Sequence, residues 1–434
     1  MPEKITANYR IVTPMFIGDA EQKASGISPA SVKGALRFWW RALNWGKCLN
    51  KVNSDVTIPQ NDKQAAALRE LHVREAKLFG GLPKTVKNEQ TGKDETLGGQ
   101  GAFLLRVVPD NIKLSSAKEL DNTHSLKGAW QSYLLGLGLM QQNHYLPSRS
   151  AIVSGSFSVQ LYCKNSEYLK ELENLLLLWG LLGGLGSRQR KGLGSISITA
   201  LKVGDEIREL PQNQPAVLDV LKMRIDKSAT GEPPYTAFSR SAQILCSPSS
   251  HQKPWQKLGE IAKDMQKFRG WGFSVDGIKL HKINGELALP KAYPCKQTDH
   301  GIVYDYTKAV PPKQLPKSIT FGLPRAYKLS NGGGEFKLDV LAYDKNGKEE
   351  KINKRSRRAS PVFIHIHQFP NNDNESMIIQ SFLPATFLPA TDKIQIKQTS
   401  GGTGQWDVSP SSPTDWQVID DYLKLTAFST WDRV

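Results

Sequence analysis

The order of apolar patterns in the first half of the chain restricts its fold more than any other feature. Segments with strand-like alternation and segments with helical periodicity follow one another as strand, helix, strands, helix and strand. We predict these elements at residues 5–12, 29–45, 102–108, 152–163, 167–182 and 195–202. Two helices against several strands indicate an α+β sandwich, and the order fits the ferredoxin-like βαββαβ plan.

One of these segments, IVSGSFSVQLYC, shows strand alternation clearly. It directs apolar side chains towards one face and has small or polar residues between them. The apolar set is Val153, Phe157, Val159 and Leu161. The segment therefore predicts a half-buried antiparallel strand.

The chain is long enough for two domains, because 434 residues exceed what one ordinary hydrophobic core supports. The first is predicted at residues 1–209, with insertions near 48–99 and 110–149. Residues 210–234, bracketed by PQNQP and GEPPY, predict a linker because these sequences resist regular structure. A strand at 236–245, a helix at 253–267 and strands near 362–367 and 377–382 predict a second ferredoxin-like domain at 235–434.

The charge of the chain indicates a polyanionic partner. Lys and Arg outnumber Asp and Glu by 57 to 41, which gives a net charge of +16. Charge alone does not separate RNA from DNA or from a membrane surface. No stretch reaches the roughly 18 apolar residues of a membrane span, and MPEKITANYRIVTPMF lacks a secretory apolar core. We therefore expect a soluble cytoplasmic protein.

The cysteines argue against two common kinds of site. Cys48, Cys163, Cys246 and Cys295 form no CxxC pair, so neither a zinc ribbon nor a thioredoxin-type site is supported. The sequence predicts scattered reduced thiols, with no metal and no cofactor.

The segment SPASVKGALRFWWRAL predicts a helix with two distinct faces. Ser28 fits the N-cap, and the proline after it fits the first helical turn. At about 100° per residue, one arc is apolar and contains Val32, Ala35, Leu36, Trp39 and Leu43. A neighbouring arc is cationic and contains Lys33, Arg37 and Arg41, with Trp40 at its edge. The cationic arc is consistent with an RNA contact and also with an ordinary solvated face.

The segment GGLGSRQRKGLGSISI places five glycines and three cations between an apolar helix and a strand. Glycine lets backbone amides approach a sugar-phosphate chain, while Arg188, Arg190 and Lys191 neutralise phosphates. A Walker A loop is excluded because GxxxxGK[ST] is absent, and a Rossmann turn runs from strand to helix rather than from helix to strand. A flexible helix-to-strand connection is the alternative.

A family resemblance follows from the order of the motifs TPMFIGDA, SPASVKGALRFWWRAL, EAKLFGG, GGLGSRQRKGLG, FGLP and RRASP. The chain resembles the family of first Cmr subunits of type III-B CRISPR effector complexes, in the RAMP superfamily. The resemblance implies ferredoxin-like, RRM-like domains that hold CRISPR RNA near its 3′ end beside other RAMP subunits. It implies that the cations of the helix and of the glycine-rich turn contact this RNA. It also implies that target RNA is a second binding partner.

The second half offers weaker candidates. Arg325 follows FGLP, and a basic run contains Lys354, Arg355, Arg357 and Arg358. This run is equally consistent with a phosphate track and with a solvated loop. His365 and His367 alternate on one strand face, which favours a structural role unless further metal ligands lie nearby.

An enzyme is the alternative class of function. Some RAMP relatives cleave RNA with an aspartate after the first strand, and this chain has Asp19 there. Only Glu21 accompanies it, and His144 beside Tyr145 does not make a catalytic set. The sequence thus favours a non-catalytic RNA-binding subunit, with a metal-dependent endoribonuclease as the alternative.

Overall fold

The computed structural model divides into two compact units. It describes residues 3–18, 23–87, 92, 94–124, 130–136, 139–140, 147–269, 274–275, 278–279, 282–283, 286–287, 299–308, 315–329, 334–343, 357–410 and 414–434. The larger unit contains residues 1–262, 363–383 and 432–434. The smaller unit contains residues 263–362 and 384–431.

The first half of the chain supplies six helices and eight strands to the described structure. In chain order they are β1 (Glu3–Ile11), α1 (Pro29–Asn53), α2 (Lys63–Phe79), β2 (Gly81–Lys87), β3 (Asp94–Gly99), β4 (Phe103–Ser115), α3 (Ala117–His124), α4 (Gln131–Leu135), β5 (Ala151–Cys163), α5 (Leu169–Leu182), β6 (Ile196–Val203), β7 (Glu206–Ile207), α6 (Gln214–Arg224) and β8 (Gln243–Cys246).

The first sheet has the ferredoxin-like strand order. Its strands run β4-β5-β1-β6-β7, and β1 is antiparallel to both β5 and β6. Tyr9 lies opposite Phe157 on one side and Ile198 on the other. The Tyr9 hydroxyl donates to the carbonyl oxygen of Leu176 in α5 at 2.9 Å, which ties this helix to the sheet. The predicted α+β class and βαββαβ order are confirmed.

The strand at 151–163 departs from its predicted alternation at one end. Phe157, Val159 and Leu161 are buried as predicted, but Val153 is only half-buried and Ile152 is buried instead. Lys113 of β4 pairs with Ser154 of β5, but the next residue, Leu114, pairs with Ile152. The pairing therefore skips Val153, and the register shifts there. Such a bulge reverses the faces of the residues beyond it.

The predicted insertion at 48–99 contains the end of α1, then α2 and the β2–β3 hairpin. The one at 110–149 begins inside a strand, because β4 continues to Ser115 before α3 and α4. The predicted linker at 210–234 contains α6, which Asn213 caps by accepting from the Ala216 amide at 3.0 Å. Val217 and Leu221 of α6 are fully buried in the core of the larger unit. A domain boundary in this region stays a prediction.

The remaining elements include strands of a second sheet with the ferredoxin-like order. They are α7 (Pro254–Arg269), β9 (Ser274–Val275), β10 (Ile278–Lys279), β11 (Lys282–Ile283), β12 (Glu286–Leu287), α8 (Asp299–Asp305), β13 (Arg325–Leu329), β14 (Gly334–Leu341), β15 (Val362–Phe369), β16 (Asn372–Phe382), β17 (Lys393–Ser400), β18 (Gln405–Val408), α9 (Gln417–Leu423) and β19 (Asp432–Arg433). A sheet of order β15-β16-β8-β19 repeats the ferredoxin-like order in the second half. The strand predicted at 236–245 is shorter in the structure than in the prediction, because the strand formed there, β8, begins at Gln243.

The smaller unit has its own sheet and core. The sheet has the order β13-β14-β17-β18, and its apolar core includes Phe336, Leu338, Ile394 and Ile396. Within the described residues, no helix is long and apolar enough to cross a membrane.

Candidate nucleic-acid interface

Helix α1 has the two faces that its sequence predicts. The Ser28 hydroxyl oxygen accepts from the Ser31 amide at 3.1 Å and caps the helix, as predicted. The apolar arc is buried and comprises Val32, Ala35, Leu36, Trp39 and Leu43. The cationic arc is half-buried and comprises Lys33, Arg37 and Arg41. A buried stripe therefore fixes the direction in which the three cations project.

A single carboxylate from the inserted helix α2 holds two of these cations. Glu75 Oε1 lies 3.0 Å from Arg37 Nε, and Glu75 Oε2 lies 3.2 Å from Arg41 Nε. Arg37 also donates to the carbonyl oxygen of Gly80. Glu75 and Gly80 both belong to the motif EAKLFGG. The motif thus positions the arginines of α1, while the arginine side chains remain 32% and 43% exposed.

The first cation of the arc lies against an aromatic ring. Lys33 Nζ is 5.9 Å from the centre of the Phe103 ring in β4. Partial burial, followed by repulsion from Arg37, lowers the pKa of the Lys33 ammonium below its usual value. The ammonium is thus part of the α1 surface that faces β4, rather than a fully solvated group.

Trp40 does not offer a ring face to a base. Its side chain is 1% exposed, and its ring makes an edge contact with Phe79 of α2. The indole Nε1 donates to Glu171 Oε1 at 2.8 Å. Trp40 could stack on a base or lie buried against the insertion, and the structure shows it buried against α2 of the insertion.

The glycine-rich turn from Gly183 to Gly194 pairs with the segment TPMF that follows β1. Thr13 Oγ1 donates to the Gly192 carbonyl at 2.7 Å, and the Gly194 amide donates to the Pro14 carbonyl at 2.9 Å. The Ser187 amide donates to the Phe16 carbonyl at 2.8 Å. Two of the sequence motifs therefore form one structural unit.

The glycines of this turn are required by packing against the protein itself. A Cβ at Gly183 would lie 2.2 Å from Trp179 Cδ1, and one at Gly194 would lie 2.0 Å from the Leu185 carbonyl oxygen. Gly186 has φ +86°, and its Cβ would lie 2.6 Å from the Phe16 carbonyl oxygen. The glycines thus serve close internal contacts, which differs from the backbone approach to RNA expected from sequence.

The three cations of the turn are half-buried and fixed by protein contacts. Arg188 has φ +64°, and its Nε donates to the Leu135 carbonyl at 2.9 Å. The Arg190 guanidinium lies 4.5 Å from the ring centre of Phe363 and 5.2 Å from that of Phe38. Lys191 Nζ lies 5.9 Å from the Tyr133 ring centre. Planar and ring contacts of this kind reduce the conformational freedom of the cations.

Phe38 and Phe363 connect the two basic segments, and sequence reasoning missed both. Phe38 belongs to α1 and Phe363 to β15, so Arg190 of the turn lies between rings from distant parts of the chain. The amide of Ile364 also donates to the Arg190 carbonyl at 3.0 Å. Phe38 sits within the motif LRFWW, but nothing in the spacing identifies Arg190 as its neighbour.

The candidates in the smaller unit are held by the motifs around them. Leu323 of FGLP and Arg358 of RRASP exchange backbone hydrogen bonds of 2.8 and 2.9 Å. Arg358 also donates to the Thr386 carbonyl, and Arg325 Nη1 donates to the Ser318 carbonyl at 2.8 Å. Arg357 is exposed. The first two arginines thus have structural contacts, while Lys354 and Arg355 lie outside the described residues.

His365 and His367 are buried and neutral. His365 Nδ1 donates to the Gly183 carbonyl at 2.8 Å, and His367 Nδ1 lies 3.3 Å from Ser197 Oγ. Burial lowers the pKa of His365 to about 3 and that of His367 to about 4. In the described part of the chain, no group of three His, Cys, Asp or Glu residues could hold a metal ion. These histidines therefore act as core residues beside the turn.

Three residues that bear on catalysis, Asp19, Glu21 and His144, lie outside the described residues. The predicted reduced thiols are present at Cys48, Cys163 and Cys246, all buried, and Cys295 lies outside the described part.

A family model supports the class that the fold and motifs define. Residues 8–197, which include α1 and the whole glycine-rich turn, match the RAMP superfamily. The chain is also 26% identical over 203 residues to the CRISPR system Cmr subunit Cmr1-2 of Pyrococcus furiosus, covering 44% of this chain and 92% of that protein. Residues 8–197 are therefore similar to the RAMP superfamily. The resemblance to Cmr subunits of type III-B systems that the motifs carry is confirmed.

Two solved structures are similar to this chain over nearly its whole length. The crystal structure of Cmr1 from Pyrococcus furiosus, in its apo form, matches with a TM-score of 0.46 and 18% identity, covering 98% of each chain. A chain in the cryo-EM structure of the type III-B Cmr-beta bound to cognate target RNA matches with a TM-score of 0.40 and 12% identity. This match covers 97% of the present chain and 99% of the other.

Proposed function

We propose that this protein is a non-catalytic subunit of a type III-B Cmr ribonucleoprotein that binds the backbone of the CRISPR RNA. It lies near the 3′ end of this guide, beside other Cmr subunits, and helps to capture target RNA in antiviral defence. The observation that carries the proposal is the group of Arg188, Arg190 and Lys191, three half-buried cations held together on one turn. The relative from Pyrococcus furiosus is itself named as a Cmr subunit.

Contacts to phosphates suit this role better than contacts to bases. A guide-binding subunit must accept spacers of different sequence, and phosphate contacts carry no sequence information. The arginines of α1 have a similar arrangement, because Glu75 fixes Arg37 and Arg41 while leaving part of each guanidinium accessible. The net charge of +16 adds a long-range attraction for RNA.

The direct test changes Arg188, Arg190 and Lys191 together to alanine. Binding of a labelled single-stranded guide RNA is measured at several salt concentrations. We expect weaker binding and a shallower dependence on salt, because each lost phosphate contact removes about 0.7 from the single-strand slope. Three lost contacts reduce the slope by about 2 in total.

A matched control removes the same charge elsewhere in the larger unit. Lys113, Lys118 and Lys222 are exposed, and their joint replacement by alanine should leave most of the slope unchanged. Equal slopes for the two triple variants would rule out a phosphate role for the turn. Metal-dependent cleavage of RNA that is lost in Asp19→Ala would instead support the endoribonuclease alternative.

A further inference from the structure

A groove of about 750 Å³ lies on the helices of the larger unit, apart from the glycine-rich turn. Its walls come from the second half of α1, from α2, from α5 and from the end of α6. We call it the helix groove. We propose that it binds an acidic amphipathic segment of another protein, an interaction separate from RNA binding.

The charge available in the helix groove is positive. Lys47, Lys170 and Arg224 line it, are exposed, and form no ion pair with another described residue. Carboxylates of a partner would therefore find three cations that have not already been neutralised.

Two of the three carboxylates that line the groove are engaged by groups of the chain itself, and the third, Glu167, is exposed. Glu171 Oε1 lies 3.3 Å from Arg74 Nη2 and accepts a hydrogen bond from the Trp40 indole at 2.8 Å. Asp226 Oδ1 accepts from the Ser228 amide at 2.8 Å. With Glu171 paired to Arg74, the three unpaired cations of the groove outnumber the two remaining carboxylates, which leaves a small excess of positive charge for an incoming anion.

Two amide oxygens beneath the groove surface lack donors. Asn44 is 3% exposed and donates through Nδ2 to the Trp40 carbonyl at 2.9 Å, but its Oδ1 has no partner among the described residues. Asn174 Oδ1 is in the same situation. An unsatisfied buried acceptor is costly, and a change of side-chain rotamer would present these oxygens to the main-chain N–H groups of a bound peptide.

The apolar contacts of the groove fit a polypeptide better than a nucleic acid. Met223 at the rim is 75% exposed, and Leu175 and Ile225 contribute apolar floor. Single-stranded RNA binds through aromatic rings that stack on bases, but the aromatic residue of this groove, Trp40, is buried. Acidic side chains for the cations, together with an aliphatic side chain for Met223, describe an acidic amphipathic segment.

Site-specific photo-cross-linking tests this proposal in the native complex, purified through a tag on the full chain. A photo-reactive phenylalanine analogue replaces Met223 in the groove, and in a second protein it replaces Ile207, which is 81% exposed on β7. We expect position 223, and not position 207, to attach to a polypeptide segment rich in Asp and Glu, identified by mass spectrometry. Attachment to a nucleotide, attachment to a basic segment, or no adduct would each overturn the proposal.

Charge reversal provides the second readout. Lys47→Glu with Lys170→Glu should lower the yield of the position-223 adduct on the order of tenfold, because two attractive contacts become repulsive. Lys113→Glu with Lys118→Glu changes the charge equally outside the groove and should leave the yield unchanged. The salt slope of RNA binding should stay at its normal value in both double variants, so that failure here is distinct from failure of the RNA-binding proposal.

Discussion

Glu75 of α2 places its carboxylate 3.0 Å from the Arg37 guanidinium of α1, and the same carboxylate reaches Arg41. The Glu75 carboxylate, which belongs to the predicted insertion, thus orients two of the cations for which the family resemblance implies contact with RNA. The relationship means that part of the positive charge of α1 is balanced within the protein before any RNA binds.

We predict that Glu75→Gln lowers the stability of the fold but strengthens RNA binding. The folded state should lose about 1–2 kcal/mol, because two half-buried guanidinium groups lose their counter-charge. RNA binding should become tighter, since Arg37 and Arg41 no longer share a nearby anion. Urea unfolding and RNA titration measure the two quantities.

Glu70→Gln is the matched control, because the ion pair of Glu70 within the described part of the chain is with the exposed Lys51, at 2.7 Å. Exposed pairs contribute roughly 0–1 kcal/mol, so this variant should change neither stability nor RNA affinity appreciably. If both glutamine variants leave RNA affinity unchanged, Arg37 and Arg41 do not contact RNA.

Gly183→Ala should destabilise the protein by about 1–3 kcal/mol, because the added methyl group overlaps the Trp179 indole. Gly34→Ala in α1 should have the opposite effect and stabilise the protein by about 0.5–1 kcal/mol, since nothing lies within 4 Å of the position that its Cβ would take. The denaturation midpoints of the two variants measure this contrast. Equal midpoints would contradict the packing role of the turn glycine.

Arg190→Lys should weaken RNA binding several-fold while leaving the salt slope unchanged. Lysine keeps the charge but loses the planar group that Phe38 and Phe363 position. Arg190→Ala should lower the slope by about 0.7. Arg106→Lys, on the exposed side of β4, serves as the control and should behave as the unmodified protein.

The buried histidines predict a loss of stability in mild acid. In the folded state the pKa of His365 is about 3 and that of His367 about 4, whereas unfolded histidine has a pKa near 6.5. Between these values the unfolded chain binds the additional protons, so stability falls as pH falls from about 6.5 towards 4. Each histidine contributes a slope of about 1 kcal/mol per pH unit in that range.

Urea unfolding at pH 7 and pH 5 measures this slope in His365→Gln and His367→Gln. Each variant should show a smaller loss of stability on acidification than the unmodified protein. His251→Gln is the control, because His251 is exposed. A pH dependence that is the same in all four proteins would show that the buried histidines do not control acid sensitivity.

Local patterns in the sequence determined the elements and the positions of the charges. Helical periodicity gave the apolar and cationic arcs of α1, and alternation gave most of the strand that contains Phe157. The order of elements was enough to predict a ferredoxin-like sheet, because few topologies are compatible with it. The basic residues of the turn could be identified for the same reason, since charge and glycine content are properties of a short segment.

Only the tertiary structure decided what surrounds those residues. Glu75 lies next to Arg37, Phe363 lies next to Arg190, and Trp40 lies beneath an insertion, and each contact joins segments far apart in the chain. No periodicity encodes such neighbours, because they depend on how separate elements pack. The glycine-rich turn shows the difference, since its glycines suggested access for RNA but are required by contacts with the chain itself, such as that of Gly183 with Trp179.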